Sequence, residues 1–170
     1  KPSFFYTDKE YYVSRAAYVI KSERIDLKYL TALLNSKLLY FYYKNNGATQ
    51  GNLLKYDKGP LLNIPIYQNH KNAFVLSRVF DFQRILNISE SIFQIGIPKN
   101  HISEAFEEVI DALVFELYFA EEFAEKGIAI VKYAQDIFKP IEGLSEEEQI
   151  KAIQEAYQTL REKDNPLRNQ

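Results

Sequence analysis

His70 and His101 are the residues best suited to move a proton near neutral pH or to ligate zinc, and they stand 31 positions apart in a chain without cysteine. A zinc or histidine-based catalytic centre would need carboxylates delivered from elsewhere by the fold. Glu104, Glu107, Glu108 and Asp111, then Glu121, Glu122 and Glu125, have the spacing that gathers side chains on one side of a helix. Such sets bridge two metal ions in di-iron bundles, where Glu-x-x-His pairs accompany them. None occurs here, so a solvated acidic face is the expectation.

Asn63-Ile64-Pro65-Ile66-Tyr67 comes near the Asn-Pro-Pro-Tyr signature of amino-methyltransferases, in which amide and backbone oxygens hold the target amine. The isoleucine between Asn63 and Pro65 breaks that spacing, and no glycine-rich cofactor turn precedes it. The phosphate-cradling and dinucleotide glycine motifs and the nucleophile-elbow motif are also absent. The chain is therefore expected to hold no catalytic residue, no metal and no cofactor of its own.

The elements that would position any site divide in character near Lys71 and Asn72. Phe4-Phe5-Tyr6, Tyr11-Tyr12-Val13 and Tyr18-Val19-Ile20 are strand-forming runs around a turn-like Thr7-Asp8-Lys9-Glu10, which predicts a hairpin. Asp26 is a plausible N-cap for one helix through Leu27, Leu30, Leu33, Leu34, Leu38 and Phe41, with Gly47 as its stop. Tyr40, Phe41, Tyr42 and Tyr43 read as core and helix packing. The amide-rich stretch from Lys44 to Asn52 holds two glycines and reads as an exposed loop. Pro65 confines the apolar run from Leu61 to Ile66 to an edge strand or an extended crossover.

Beyond Asn72 the apolar period is helical at Phe74, Val75, Val79, Phe82 and Leu86. Ser103 is the expected cap of a second helix, stopped by Gly127, whose Phe106, Ile110, Leu113, Leu117, Ala120 and Ala124 follow the 4-3 spacing of a packed seam. Ser145 and Glu148 form an S-x-x-E capping box ahead of Ile150, Ile153, Tyr157 and Leu160. The tail after Asp164 reads as frayed. These elements make an α+β chain, with a small mixed α/β region over residues 1–72 and a predominantly helical region over 73–170.

Composition supports a folded domain: 170 residues, 46% hydrophobic and 15% aromatic, enough for a core. No run reaches the roughly 18–20 apolar residues of a membrane span and no signal peptide is visible, so a cytoplasmic setting is expected. Absence of cysteine fits a reducing interior. Lys1 in first place and the absence of methionine suggest a piece excised from a longer protein. Net charge is −2, yet residues 1–72 hold 11 Lys and Arg against 5 Asp and Glu, while residues 73–170 hold 10 against 18. One end suits a polyanion and the other opposes one.

Three segments resemble a known family. Leu30-Thr31-Ala32-Leu33-Leu34-Asn35-Ser36-Lys37-Leu38-Leu39-Tyr40-Phe41 resembles the leucine-rich helix ending in Leu-Asn-Ser of DNA target-recognition domains. Leu61 to Ile66 is similar to that family's extended Ile-Pro segment, and Val109 to Tyr118 to the Ile-Asp-x-Leu-Val-x-x-Leu-Tyr helix near the C-terminus of type IIG restriction-modification enzymes. The resemblance covers roughly residues 4–120. It departs from the pattern at Phe119, where glycine is expected after Leu-Tyr, which bears on where that helix ends.

What the resemblance implies is the C-terminal specificity region of an adenine-N6 DNA methyltransferase, with or without an endonuclease. Its catalytic domains would lie upstream, and S-adenosylmethionine would be the parent's cofactor. Family members carry further strand-rich sequence before a segment like Phe4-Phe5-Tyr6, so the recognition region would be incomplete at its N-terminus. Partners would be double-stranded DNA and the upstream methyltransferase domain, without a membrane. In that role Asn45, Asn46, Gln50 and Asn52 are candidates for base edges, Lys37, Lys44, Lys55 and Lys58 for phosphate or guanine, and Tyr56 for stacking or phosphate. The plainer reading of each is a solvated turn. The competing function is a helical protein-interaction or regulatory domain without nucleic acid, and self-association through the helices is open to either.

Overall fold

Asp26 starts the first helix as expected, its Oδ1 accepting from the backbone N–H of Lys28 at 2.7 Å and of Tyr29 at 3.2 Å. In the computed structural model, which describes residues 4–14, 17–50, 53–55, 58–67, 70–89 and 96–168, this helix is α1 (Leu27–Asn35). It does not run on to Gly47. Ser36 adopts an extended conformation, donates its hydroxyl to Leu33 O at 2.7 Å and accepts from Leu39 N–H at 3.3 Å. One side chain thus closes α1 and caps α2 (Lys37–Asn46).

Gly47 ends α2 for a steric reason. A Cβ there would lie 2.6 Å from Tyr43 O and 2.7 Å from its ring, because Gly47 N–H bonds that carbonyl at 2.7 Å. Beyond it, β1 (Ala48–Gln50) pairs antiparallel with β2 (Leu53–Lys55), Ala48 opposite Lys55 and Gln50 opposite Leu53. A short α3 (Lys58–Leu62) follows. Leu61 and Leu62 are therefore helical rather than extended, Asn63 and Ile64 turn, and residues 65–67 have no regular structure. Tyr29, Leu30, Leu33 and Leu34 of α1, Leu39 and Tyr43 of α2, and Ile64 make the core of this unit, Lys1–Ile64.

The α+β expectation is corrected. Among the described residues the fold is helical, and β1 with β2 is one ribbon of three residues per strand with no sheet for helices to pack on. The expected hairpin does not form in the described part of residues 4–21: Phe5, Tyr11, Tyr12, Tyr18 and Val19 are exposed and no ladder joins them. A two-stranded hairpin is marginal in water unless a further strand or a helix covers it, and among the described residues β1 and β2 pair only with each other and not with these runs.

The second unit, Pro65–Gln170, is built on α4 (His70–Ile88) and α5 (Lys99–Tyr118), which pack along one another. Phe82, Phe106 and Phe138 are buried together, their ring centroids 5.0 to 6.0 Å apart and their planes nearly perpendicular. Ser103 does not cap α5. The helix begins one turn earlier, after Pro98, whose ring presets the backbone at a position that has no side-chain cap. The 4-3 seam is buried at Phe106, Ile110, Leu113 and Leu117, then ends, because Phe119 leaves the helical conformation and Ala120 and Ala124 lie exposed on the separate α6 (Ala120–Glu125). Gly127, at φ 71°, terminates α6 rather than α5.

α7 (Ile130–Ile137) has no counterpart in the sequence reading. Its first turn is held from outside by Glu116, which accepts from Val131 N–H at 2.7 Å. α8 (Glu146–Arg161) carries the expected capping box, Ser145 and Glu148 each bonding the other's backbone. The tail is not frayed at Asn165, which is buried and donates to Thr159 O at 2.7 Å. None of the described helices is long and apolar enough to cross a membrane.

Candidate nucleic-acid interface

The restart of the helix at Ser36 sets which way α2 faces. With about 100° per residue, Leu39 and Tyr43 share one side, and both are buried. The opposite side then carries Lys37, Phe41, Lys44 and Asn45, all exposed. Phe41 is 65% exposed at the centre of this face, with Lys37 one turn before it and Lys44 one turn after. Between Asp26 and Asp57 the sequence holds four lysines and no acidic residue.

Asn45 and Asn46 close the helix with the same internal bond, Asn45 Nδ2 donating to Phe41 O at 2.7 Å and Asn46 Nδ2 to Tyr42 O at 2.8 Å. Each bond uses one of two amide N–H groups, leaving one donor and the Oδ1 acceptor for solvent or a ligand. Asn45 flanks Phe41 on the outward face. Asn46, five positions beyond Phe41, lies about 140° round the helix and does not share that face. Tyr42 donates to Asn63 O at 3.2 Å, tying α2 to the chain that leaves α3.

The remaining candidates are dispersed. Gln50 and Lys55 sit in β1 and β2. Lys58 is exposed at the start of α3, which contacts α2. Asn52 and Tyr56 lie outside the described residues. The expectation that the four consecutive aromatics are packing residues holds for Tyr43 and is corrected for Phe41. The missed signal was Ser36. A continuous helix from Asp26 places Phe41 in line with Leu30, Leu34 and Leu38, whereas a capped restart turns it outward.

The second unit offers different chemistry. A groove of about 490 Å³ runs along α5 and α8, with His101, Glu104 and Glu108 on one side and Tyr157, Arg161 and Arg168 on the other. Among the described residues no group of three histidine, aspartate or glutamate side chains converges as a metal site. Glu116 is half-buried, and that burial raises its carboxyl above the ordinary carboxylate value against the opposing Val131 N–H, Lys71 and Ile130 N–H. Tyr118 is raised likewise by burial. Its hydroxyl donates to Pro65 O, and its ring stands 6.2 Å from that of Tyr67.

Residues 1–66 match the family of TaqI-like C-terminal specificity domains. The match spans the first unit and bears out the resemblance to the specificity region of a restriction-modification methyltransferase. The α5 segment from Val109 to Tyr118 lies outside the matched residues. No curated protein and no solved structure matches the chain.

Proposed function

We propose that the first unit binds duplex DNA and recognises its sequence, as the specificity region of an adenine-N6 DNA methyltransferase of a restriction-modification system. The observation that carries this reading is the outward face of α2, where Lys37 and Lys44 flank exposed Phe41 and Asn45 in a stretch free of carboxylates. Lysines of this kind hold phosphates and fix register, while the amide reads base edges. Lys58, exposed at the start of α3, extends the cationic set. Catalysis belongs to other domains of the parent enzyme, which would draw its methyl group from S-adenosylmethionine.

The acidic second unit is suited to a different contact. Its stacked and partly exposed Phe115 and Phe119, with ring centroids 6.1 Å apart, and exposed Phe74 favour docking against protein, in this reading the methyltransferase domain of the parent. Its surplus of carboxylates disfavours a path along DNA.

The test is fluorescence anisotropy of a labelled mixed-sequence duplex with the 170-residue chain, begun at low salt. Binding whose logarithm falls linearly with the logarithm of salt supports the reading. Absence of binding at the lowest salt rejects it in favour of the protein-interaction alternative.

A further inference from the structure

Resting on the DNA-binding reading above, we infer that Phe41 is a sequence-reading residue that packs on the 5-methyl group of thymine in the major groove. The geometry points to this from three directions. Phe41 is 65% exposed and is centred on the face opposite the buried Leu39 and Tyr43, so a body that covers this face of α2 covers Phe41. Lys37 and Lys44 stand one turn to either side, both exposed. A protein partner covering Phe41 would have to desolvate both ammonium groups, which interface cores avoid. A duplex accepts them on its phosphates.

Phenylalanine has no donor or acceptor, so it gains nothing from the polar atoms of a base edge. The thymine methyl is the one apolar group that the four base pairs present in the major groove. Asn45 supplies the complement. Its amide, held by its bond to Phe41 O at 2.7 Å, keeps one N–H and Oδ1, the pair that adenine N7 and N6–H₂ require. Phe41 and Asn45 are one turn apart on α2, so the two edges of a single A·T pair are within reach of both.

The experiment compares an alternating dA·dT duplex with an alternating dA·dU duplex, identical except for the missing methyl groups, at low salt by anisotropy. The native chain is expected to bind the thymine duplex about three- to tenfold more tightly. Phe41→Ala should bind both at the level of the uracil duplex, with the salt slope unchanged, and Phe41→Leu should keep part of the preference. Because Phe41 is exposed, circular dichroism of both variants should match the native chain. Equal binding of thymine and uracil by the native chain would overturn the inference while leaving the DNA reading intact. So would an Ala variant that loses affinity equally for both duplexes, which would mark Phe41 as a wedge between bases. Failure to bind either duplex at low salt would overturn both.

Discussion

Asn35 and Phe4 exchange two hydrogen bonds, Phe4 N–H donating to Asn35 Oδ1 at 2.9 Å and Asn35 Nδ2 donating to Phe4 O at 2.8 Å. The end of α1 thereby holds a segment 31 residues away in the chain in the manner of a strand partner. Asn35 also donates to Thr31 O at 3.0 Å, which fixes its side chain against its own helix. Together with the double role of Ser36, this gives the Leu-Asn-Ser sequence a physical meaning. Asn35 anchors the entering chain, and Ser36 ends one helix and begins the next.

Asn35→Ala removes both bonds to Phe4 and should cost about 2 kcal/mol by urea denaturation, at roughly 1 kcal/mol per part-buried hydrogen bond. Amide exchange at Phe4 should rise with it. Asn35→Asp keeps the acceptor and should retain part of that protection. Unchanged exchange at Phe4 in the Ala variant would contradict the anchoring role.

Gly47→Ala places a Cβ 2.6 Å from the Tyr43 carbonyl, a backbone atom that cannot rotate away. The last turn of α2 must shift, at a cost of about 1–3 kcal/mol for a clash of this kind. That turn carries Lys44 and Asn45, so duplex affinity should fall along with the midpoint of thermal unfolding. A stable variant with native affinity would show that the close approach is not needed.

Much of the helical half was legible because local signals and burial agree there. Ser145 with Glu148, and the seam from Phe106 to Leu117, need only nearest-neighbour physics. The first half was less legible for two reasons. The aromatic runs from Phe4 to Ile20 have strand composition, but composition does not supply the partner strand that pairing requires. Ser36 lies within an unbroken apolar period, and only its hydrogen bonds reveal that the period is reset there. Moving the register by that one residue turned Phe41 from core to surface, and so concealed the centre of the candidate interface. α7 was hidden because its start depends on Glu116, a side chain distant in sequence.

Glu116 gives a pH dependence of known sign. Burial raises its carboxyl above the ordinary value near 4.5, so the folded chain holds the proton to higher pH than the unfolded chain. Stability from this group therefore rises as pH falls from the folded value toward 4.5, and the full cost of the buried charge is present above the folded value. Relative to Glu116→Gln, the native chain should gain stability on acidification through that window, as read by denaturant unfolding at several pH values. A difference independent of pH would contradict it. Glu116→Gln keeps an acceptor for Val131 N–H and so isolates the charge, whereas Glu116→Ala removes the charge and the bond together.

The claim that the outward face of α2 meets duplex DNA is tested most directly by the salt dependence of binding in the double variant Lys37→Gln with Lys44→Gln. If both ammonium groups neutralise phosphates, the slope of log affinity against log salt should flatten by about two units relative to the native chain, near 0.9 for each phosphate no longer neutralised. An unchanged slope, with binding retained, would place the duplex on another surface and contradict the account.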